Sequence, residues 1–415
     1  MNSHSLIIEQ LSNNLRSILS KHTPELFRRN RKLSIFQIFD AISYQIQNKN
    51  YINTTTYLLD ICGVNITEAS LIYRRKQLNE NVFNNIYDSL FEKYKNILTS
   101  KRNGDYTLQM VDGSNITLLP TFKKYGFSKH SNSENTHGLL TGIYNQTDDN
   151  LTSFSFDKKY NERDMFTNAM EYINLNSKRN VFVFDRGYWQ PTIANNLLNN
   201  NHDFVFRLNK INRHLDILKN TDTRDYIGYF EVKDENRVKH KIPIRYIRYD
   251  VGDSKFFIAT SLVNLSIEEI SEIYKKRWSI EIVYKLLKEI CDLSLTKHKI
   301  DLFYSQNLLM FRIIYLIHKI IYNSFQKIEK KVYDKKTKYN YSNGINTMIN
   351  CIMGKLLHRP INYIKNIIGL VHKMLSHYII SDSGRNFPRR ALSMQSRWYL
   401  LGKLTKKPRY PDKSS

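Results

Sequence analysis

Residues 107–114 read TLQMVDGS, an apolar-rich run that reaches Asp112 and is followed at once by Gly113. Residues 181–188 read VFVFDRGY and repeat the arrangement, with Asp185 directly after an apolar run. Each run predicts a buried strand, and a carboxylate at a strand end can meet a partner from a neighbouring element. An aspartate after a single strand is more often a turn former, so these two residues favour a site without establishing one.

A third acid lies on a predicted helix that starts near Ser266 and reads SIEEISEIYKKRWSIEIVYKLLK through residue 288. At about 100° per residue, Tyr274, Arg277, Glu281 and Lys288 fall within an arc of about 60° on one helical face. The same helix presents a separate apolar flank made of Ile273, Ile280, Val283 and Leu287. One interpretation of the polar face is a solvated surface with ion pairs. Its combination with Asp112 and Asp185 favours a chemical site instead.

Three converging carboxylates repel one another unless a cation neutralises them. Hard divalent ions take oxygen ligands, and Mg²⁺ is typically held by a few carboxylates together with water or phosphate oxygens. Two such ions about 4 Å apart can activate an attacking oxygen and stabilise a leaving oxygen in a phosphoryl displacement. We therefore expect two Mg²⁺ ions, which Mn²⁺ can replace, and a substrate that carries phosphodiesters.

The composition points to the same substrate. The chain has 63 Lys and Arg against 38 Asp and Glu, a formal charge of +25 and a pI near 9.7. Such an excess promotes association with nucleic acid, although it would also attract other polyanions or an anionic membrane surface. No basic amphipathic anchor stands out. The most apolar stretch, residues 308–321, is interrupted by charges and short for a membrane span, so we expect a buried core helix and no membrane partner.

The three cysteines, Cys62, Cys291 and Cys351, are widely separated in sequence. This spacing argues against a disulfide framework and against a zinc site built from paired cysteines.

The order of predicted elements indicates the fold class. Strands near 104–112, 138–144 and 151–156 precede a helix at 162–173 and the strand that ends at Asp185. Three strands, a helix and a further strand, with acids on the first and fourth strands, is the order of an RNase H-like core. We predict an α/β fold with a mixed sheet flanked by helices, whose third acid, Glu281, comes from a later helix. Residues 201–262 predict a β-rich insertion, and the alternative is an extension of the main sheet.

We predict five regions in the chain. Residues 1–103 form a helical N-terminal DNA-binding region, 104–200 and 263–325 form the two parts of the core around the insertion at 201–262, and 326–415 form a helical, basic C-terminal region.

Two features of the terminal regions favour contact with DNA. Residues 58–76 match a helix-turn-helix outline with Arg74, Arg75 and Lys76 on its second helix, although a plain helical bundle is the alternative. Basic residues also cluster at 28–32, at 330–338 and in the segment 385–415, where nine basic residues accompany Asp412 alone. We expect this last segment to lie along DNA, unless it is simply a solvated tail.

At these residues the chain resembles the DDE transposases of bacterial insertion-sequence family 4. The likeness rests on Asp112 in VDG, Asp185 in DRGY, the β-rich insertion and the spacing Tyr274-x2-Arg277-x3-Glu281-x6-Lys288, which is that family's Tyr-Arg-Glu-Lys signature. It covers roughly residues 104–325. The resemblance implies that Asp112, Asp185 and Glu281 bind the metal ions.

The resemblance also implies that Tyr274, Arg277 and Lys288 contact DNA near the cleaved end. The implied activity is cut-and-paste movement, in which a homodimer pairs two terminal inverted repeats in a synaptic complex. It then cuts the ends and joins their 3′-hydroxyls to target double-stranded DNA. The implied location is the bacterial cytoplasm, or a nucleus or viral factory for a eukaryotic or viral host.

One departure concerns the hairpin step of well-known relatives, which stack a flipped base on a tryptophan of the insertion. Here the tryptophans are Trp189, Trp278 and Trp398, and none lies in the predicted strands of the insertion. Other aromatic side chains of the insertion can offer a stacking face, namely Tyr226, Tyr229, Phe230 and Tyr246. Hairpin formation therefore stays open. Two alternative functions also remain, an RNase H-like nuclease or resolvase without strand transfer and a domesticated DNA-binding protein without catalysis.

Overall fold

A computed structural model of the chain describes residues 3–27, 33–48, 50–99, 106–129, 135–158, 161–172, 179–209, 212, 215–233, 238–252, 254–290, 300–329, 337–358 and 364–380. The basic cluster at 28–32, most of the lysine-rich stretch at 330–338 and the basic segment at 385–415 lie outside the described residues, as do Cys291 and Trp398. The predictions made for them remain predictions.

The described residues form fourteen α-helices and eleven strands. The helices are α1 Ser3–Lys21, α2 Ile35–Gln45, α3 Tyr51–Cys62, α4 Glu68–Arg75, α5 Glu80–Leu98, α6 Glu162–Tyr172, α7 Pro191–Asn199, α8 Asp216–Asn220, α9 Ile267–Lys275, α10 Trp278–Ile290, α11 Asp301–Glu329, α12 Tyr341–Thr347, α13 Met353–His358 and α14 Ile364–Leu375. The strands are β1 Tyr106–Leu118, β2 Ser128–Lys129, β3 Thr136–Asn145, β4 Asn150–Asp157, β5 Arg179–Phe184, β6 Asp203–Arg207, β7 Asp225–Lys233, β8 Lys239–Val251, β9 Ser254–Thr260, β10 Thr337–Tyr339 and β11 Tyr378–Ile380.

Five strands form the centre of a single large sheet in the order β4-β3-β1-β5-β6. Strand β3 is antiparallel to both β1 and β4, whereas β5 is parallel to both β1 and β6. In chain order this is third, second, first, fourth, fifth, with helix α6 between the third and fourth strands. The arrangement is an RNase H-like core in an α/β fold, as the sequence predicted.

The β-rich segment between the two parts of the core continues this sheet. Strand β9 pairs with β6, β8 with β9 and β7 with β8, all antiparallel. The run at 204–206, which we had assigned to the insertion, is instead the fifth core strand β6. Pairing with β9 satisfies the backbone groups that the outer edge of β6 would otherwise expose. The segment is β-rich as expected, but its strands extend the main sheet and do not form a separate sheet.

The sheet buries a different set of side chains on each face, because successive residues of a strand point to opposite sides. On β1, Val111 packs with Phe166 of α6 and with α7, whereas Met110 packs in the larger core that contains α10 and α11. Helices from both ends of the described chain share that larger core, since Leu15 of α1 and Val371 of α14 belong to it. The helical layer therefore joins the N- and C-terminal regions on one face of the sheet.

Helix α11 lies at the centre of this helical layer. Among the described residues it alone is long and apolar enough to cross a membrane, yet 94% of its most apolar window is buried inside the protein. The prediction of a buried core helix around residues 308–321 is therefore confirmed.

Helix α4 differs from the outline of a DNA-reading helix. The turn before it forms as the sequence indicates, with Gly63 at a φ of 67° ending α3 and Thr67 capping α4. However, Arg74 is 3% exposed and Arg75 is fully buried. The Arg75 guanidinium donates to Gln45, Gln306 and Asn307 and to the carbonyl oxygen of Phe303. These two arginines hold helices together and are not available to a DNA groove in this structure.

Candidate active site

The first two acids lie where the β1–β5 pair ends. Pairing of these strands stops at Val111 opposite Phe184, and Asp185 follows as the start of a short 3₁₀ turn. We had expected β1 to end at Asp112 as well, but β1 continues to residue 118 because Asp112 and the residues after it remain paired with β3. The two aspartates nevertheless follow the last β1–β5 pair at the same level of the sheet, which brings them to one site.

The third acid is carried by α10, and the predicted single helix from 266 to 288 is in fact two helices. The capping box at Ser266 forms as expected and starts α9. The helix then breaks at 276–277, where Arg277 N–H donates to Tyr274 O and Ile280 N–H donates to Arg277 O. These bonds span three residues where an α-helix spans four, so the chain tightens locally before α10 begins. Glu281 therefore lies in the first turn of α10.

The guanidinium of Arg277 lies among the acids. Its Nη2 donates to Glu281 Oε1 at 2.6 Å and its Nη1 donates to Asp112 Oδ2 at 3.4 Å. Arg277 is 7% exposed, so its charge is largely removed from solvent. This guanidinium places a buried positive charge between the two carboxylates and holds them together.

Asp185, the other aspartate of the site, contacts a different set of side chains. The hydroxyl of Tyr274 donates to Asp185 Oδ1 at 3.3 Å, and Nη1 of Arg207 lies 3.9 Å from the same oxygen. Arg207 is held in place by the ring of Phe256, 4.7 Å from its guanidinium carbon. Arg207 belongs to β6, and sequence analysis missed it because no local pattern links that strand to the acids.

Two side chains of α10 fix this helix against β1. Lys288 Nζ donates to Ser114 Oγ at 2.6 Å, so it reaches the edge of the site and not one of the three acids. The hydroxyl of Tyr284 donates to the carbonyl oxygen of Asp112 at 2.6 Å. Gly142 of β3 makes room for this contact, since a Cβ there would lie 2.9 Å from the Tyr284 hydroxyl oxygen. Tyr284 was not among the residues predicted from the sequence.

A fourth carboxylate, also missed, comes from α6. Glu162 is the first residue of this helix, and its Oε1 lies 2.5 Å from the position that a Cβ on Gly113 would occupy. Its Oε2 lies 3.5 Å from the corresponding position on Gly187. The neighbouring Arg163 donates from Nε to Gly187 O at 2.8 Å, which fastens the start of α6 to the loop after Asp185.

The electrostatics of the site follow from the crowding of acids. Burial is the largest influence on Asp112 and raises its pKa to about 6; Arg277 opposes this, and Glu281 and Glu162 add to it. Burial and then Asp185 raise the pKa of Glu162. Burial would lower the pKa of Arg277, but its anionic and phenolic neighbours outweigh burial and raise it. Burial of the Lys288 ammonium lowers its pKa, with Asp112 acting in the opposite direction.

A separate group of possible metal ligands lies outside this site. The ligand atoms of Asp40, Cys62 and His358 all lie within 4.8 Å of one another, which the sequence spacing of the cysteines did not indicate. Tyr57 and His358 already contact the Asp40 carboxylate, at 3.0 Å each. Hydrogen bonding therefore accounts for this buried aspartate without an ion.

An RNase H-like sheet with acids on its first and fourth strands and on a later helix defines the class of enzymes that break and join phosphodiesters. The family described as "Transposase DDE domain" matches residues 103–317, which is more than half of the chain, and the chain belongs to that family. It is therefore a DNA transposase, an enzyme that cleaves DNA and transfers strands, and enzymes of this family use divalent metal ions.

No curated protein matches the chain significantly. Among solved structures, the chain is similar to the one described as "Cryo-EM structure of piggyBac transposase synaptic complex with hairpin DNA", at 9% identity and a TM-score of 0.46. The alignment covers 88% of this chain and 82% of that chain. Such a TM-score is too low to transfer residues or roles.

Proposed function

We propose that Asp112, Asp185 and Glu281 are the metal-binding carboxylates of this transposase and that they prefer Mg²⁺, with Mn²⁺ as a substitute. The observation that carries the proposal is the buried guanidinium of Arg277, which joins Asp112 to Glu281. Acids that already surround a buried positive charge are suited to bind a divalent cation. The donor set also fits, because it offers only carboxylate oxygens, the ligands that Mg²⁺ prefers.

Bound divalent ions would activate the attacking oxygen and stabilise the leaving oxygen of an in-line displacement. The protein's own contribution is to hold the acids in place. The Gly113 N–H donates to Asp112 Oδ1 at 3.0 Å, and Tyr284 fixes the Asp112 carbonyl, so this residue is anchored from both main chain and side chain. Water attack would give hydrolysis, and attack by a DNA 3′-hydroxyl would give strand transfer.

The basic side chains around the acids are suited to DNA. We propose that Tyr274, Arg277 and Lys288 contact the strand near the cleaved phosphodiester. Arg277 carries a planar fork of donors that matches a phosphate, and Lys288 presents a compact charge at the rim of the site. Release of Arg277 from the carboxylates would be the step that makes it available to phosphate.

The biological substrate follows from the same proposal. We propose that a homodimer binds two terminal inverted repeats, cuts them and joins their 3′-hydroxyl ends to target DNA, as insertion-sequence family 4 transposases do. The host compartment would be the bacterial cytoplasm, or the nucleus or viral factory of another host.

The test is Mg²⁺-dependent cleavage and joining of a labelled duplex that carries the terminal repeat flanking the gene. The wild type is compared with Glu281→Gln and with Glu289→Gln, a matched change at an exposed position of the same helix. We expect joined product from the wild type and from Glu289→Gln, and DNA binding without chemistry from Glu281→Gln. Cleavage without joining would identify a nuclease. Equal chemistry in all three proteins would refute the assignment of Glu281.

A further inference from the structure

We propose that Glu162 is a fourth carboxylate of the metal centre, contributed by α6. This inference rests on the proposed metal centre of Asp112, Asp185 and Glu281 and adds to it a ligand that their spacing in sequence does not reveal.

The first argument is the position of the side chain. Two glycines, Gly113 and Gly187, follow the two aspartates, and the Glu162 carboxylate lies over both of them. The contact with Gly113 is so close that any Cβ there would overlap Oε1. The space beside each aspartate that another residue would fill with its own side chain is thus filled by a carboxylate. The two oxygens of Glu162 therefore lie against the backbone that directly follows each aspartate.

The second argument is charge. The Glu162 carboxylate lies against Gly113 and Gly187, so a third negative charge is placed beside the backbone that follows Asp112 and Asp185. In the part of the chain that the structure describes, no hydrogen bond or ion pair ends on the Glu162 carboxylate. The adjacent Arg163 uses its Nε for Gly187 O. A partly buried carboxylate on which no hydrogen bond or ion pair ends is stabilised by a divalent cation.

The third argument is the architecture of the sheet. Glu281 comes from α10, which packs in the core on one face of the sheet, and Glu162 comes from α6, which packs on the other. Asp112 and Asp185 lie between these two layers at the point where β1 and β5 separate. An ion on the α6 side would therefore have Glu162 as its outer carboxylate, just as an ion on the α10 side would have Glu281. Two ions held in this way would form a symmetric two-metal site, an arrangement that stabilises both the attacking and the leaving oxygen.

The decisive variants separate loss of the acid from loss of its position. Glu162→Gln removes the charge, and Asp164→Asn makes the same change at an exposed position of the same helix. Gly113→Ala keeps the acid but places a Cβ where Oε1 now lies, so the flexible carboxylate must move away. The readout is Mn²⁺ binding without DNA, measured by calorimetry and by electron paramagnetic resonance, together with the melting temperature in EDTA.

We expect Glu162→Gln and Gly113→Ala each to lose one bound Mn²⁺ or to weaken it at least tenfold, while Asp164→Asn binds as the wild type does. The double variant Glu162→Gln/Gly113→Ala should be no weaker than the single variants, because both changes remove the same ligand. A Glu162→Asp variant should recover part of the affinity.

Two failures are distinguishable. If Asp112→Asn abolishes Mn²⁺ binding while Glu162→Gln leaves its stoichiometry and affinity unchanged, the metal centre stands and Glu162 is not part of it. If neither Asp112→Asn nor Glu281→Gln alters Mn²⁺ binding, the proposed metal centre itself is wrong, and the Glu162 assignment falls with it. If Glu162→Gln melts far below the wild type in EDTA, its loss of Mn²⁺ binding no longer tests the proposal. Mn²⁺ binding by Gly113→Ala then decides whether Glu162 is a ligand.

Discussion

The role of Arg277 as an internal cation makes a measurable prediction. Arg277→Gln removes the 2.6 Å contact with Glu281 and the 3.4 Å contact with Asp112 from a side chain that is only 9% exposed. Breaking a buried ion pair by removing one partner costs about 3–5 kcal/mol. With an unfolding entropy of roughly 2 cal/mol/K per residue, a chain of 415 residues should then melt about 4–6 °C lower.

The assay is calorimetric melting at pH 7.5, first in EDTA and then across a Mg²⁺ or Mn²⁺ titration. Because a divalent ion supplies the missing positive charge, it should stabilise Arg277→Gln more than it stabilises the wild type. At a metal concentration of 100 times Kd, the stabilisation is about 3 kcal/mol, which recovers much of the loss.

Arg245→Gln is the matched control. Arg245 is equally buried, also 9% exposed in its side chain, and pairs with Asp225 at 2.6 Å in the extended part of the sheet. Its substitution should cost a similar amount of stability that no metal restores. The interpretation of Arg277 is refuted if Arg277→Gln melts with the wild type in EDTA, or if metal stabilises both variants equally.

Three further predictions concern β1, β3 and the helix α10 that packs against them. In the metal-free fold the pKa of Asp112 is raised from 3.8 to about 6. Asp112 therefore imposes no cost on folding below pH 3.8, and the folded protein loses stability as the pH rises from 3.8 through 6. Asp112→Asn should therefore stabilise the metal-free protein by about 3 kcal/mol at pH 7.5, seen as a higher melting temperature in EDTA, with no gain at pH 4. Tyr284→Phe should lose about 1 kcal/mol in denaturant unfolding and lower cleavage, because the Asp112 carbonyl loses its donor. Gly138→Ala should lose about 1–3 kcal/mol, since its Cβ would overlap the Phe156 ring, and an unchanged unfolding midpoint would contradict that contact.

Sequence patterns predicted the parts of the molecule that local chemistry determines. The apolar runs before Asp112 and Asp185 gave the two central strands, and the capping box at Ser266 gave the start of α9. Strand order followed from the succession of elements, because short connections and parallel pairing leave few ways to arrange them.

What the sequence did not reveal depends on contacts between distant residues. Glu162 stands at the start of a correctly predicted helix, but its position over Gly113 requires knowing how α6 packs against the sheet. Arg75 has amide partners 30 and more than 200 positions away, so its burial could not be read from a basic helix face. The break at 276–277 lies within a run of good helical periodicity, and only the main-chain bonding identifies it.

The central position of α11 also constrains how the chain is made. Helices α1, α2 and α5, which a ribosome would complete within the first hundred residues, bury their apolar faces in a core that includes Phe311 and Ile317 of α11. At roughly 5–20 residues per second, more than ten seconds of synthesis separate these helices from their partner. During that interval the nascent helices expose apolar surface that α11 covers in the folded protein. A message truncated before α11 would yield a polypeptide prone to aggregation or proteolysis, and not a shorter DNA-binding fragment.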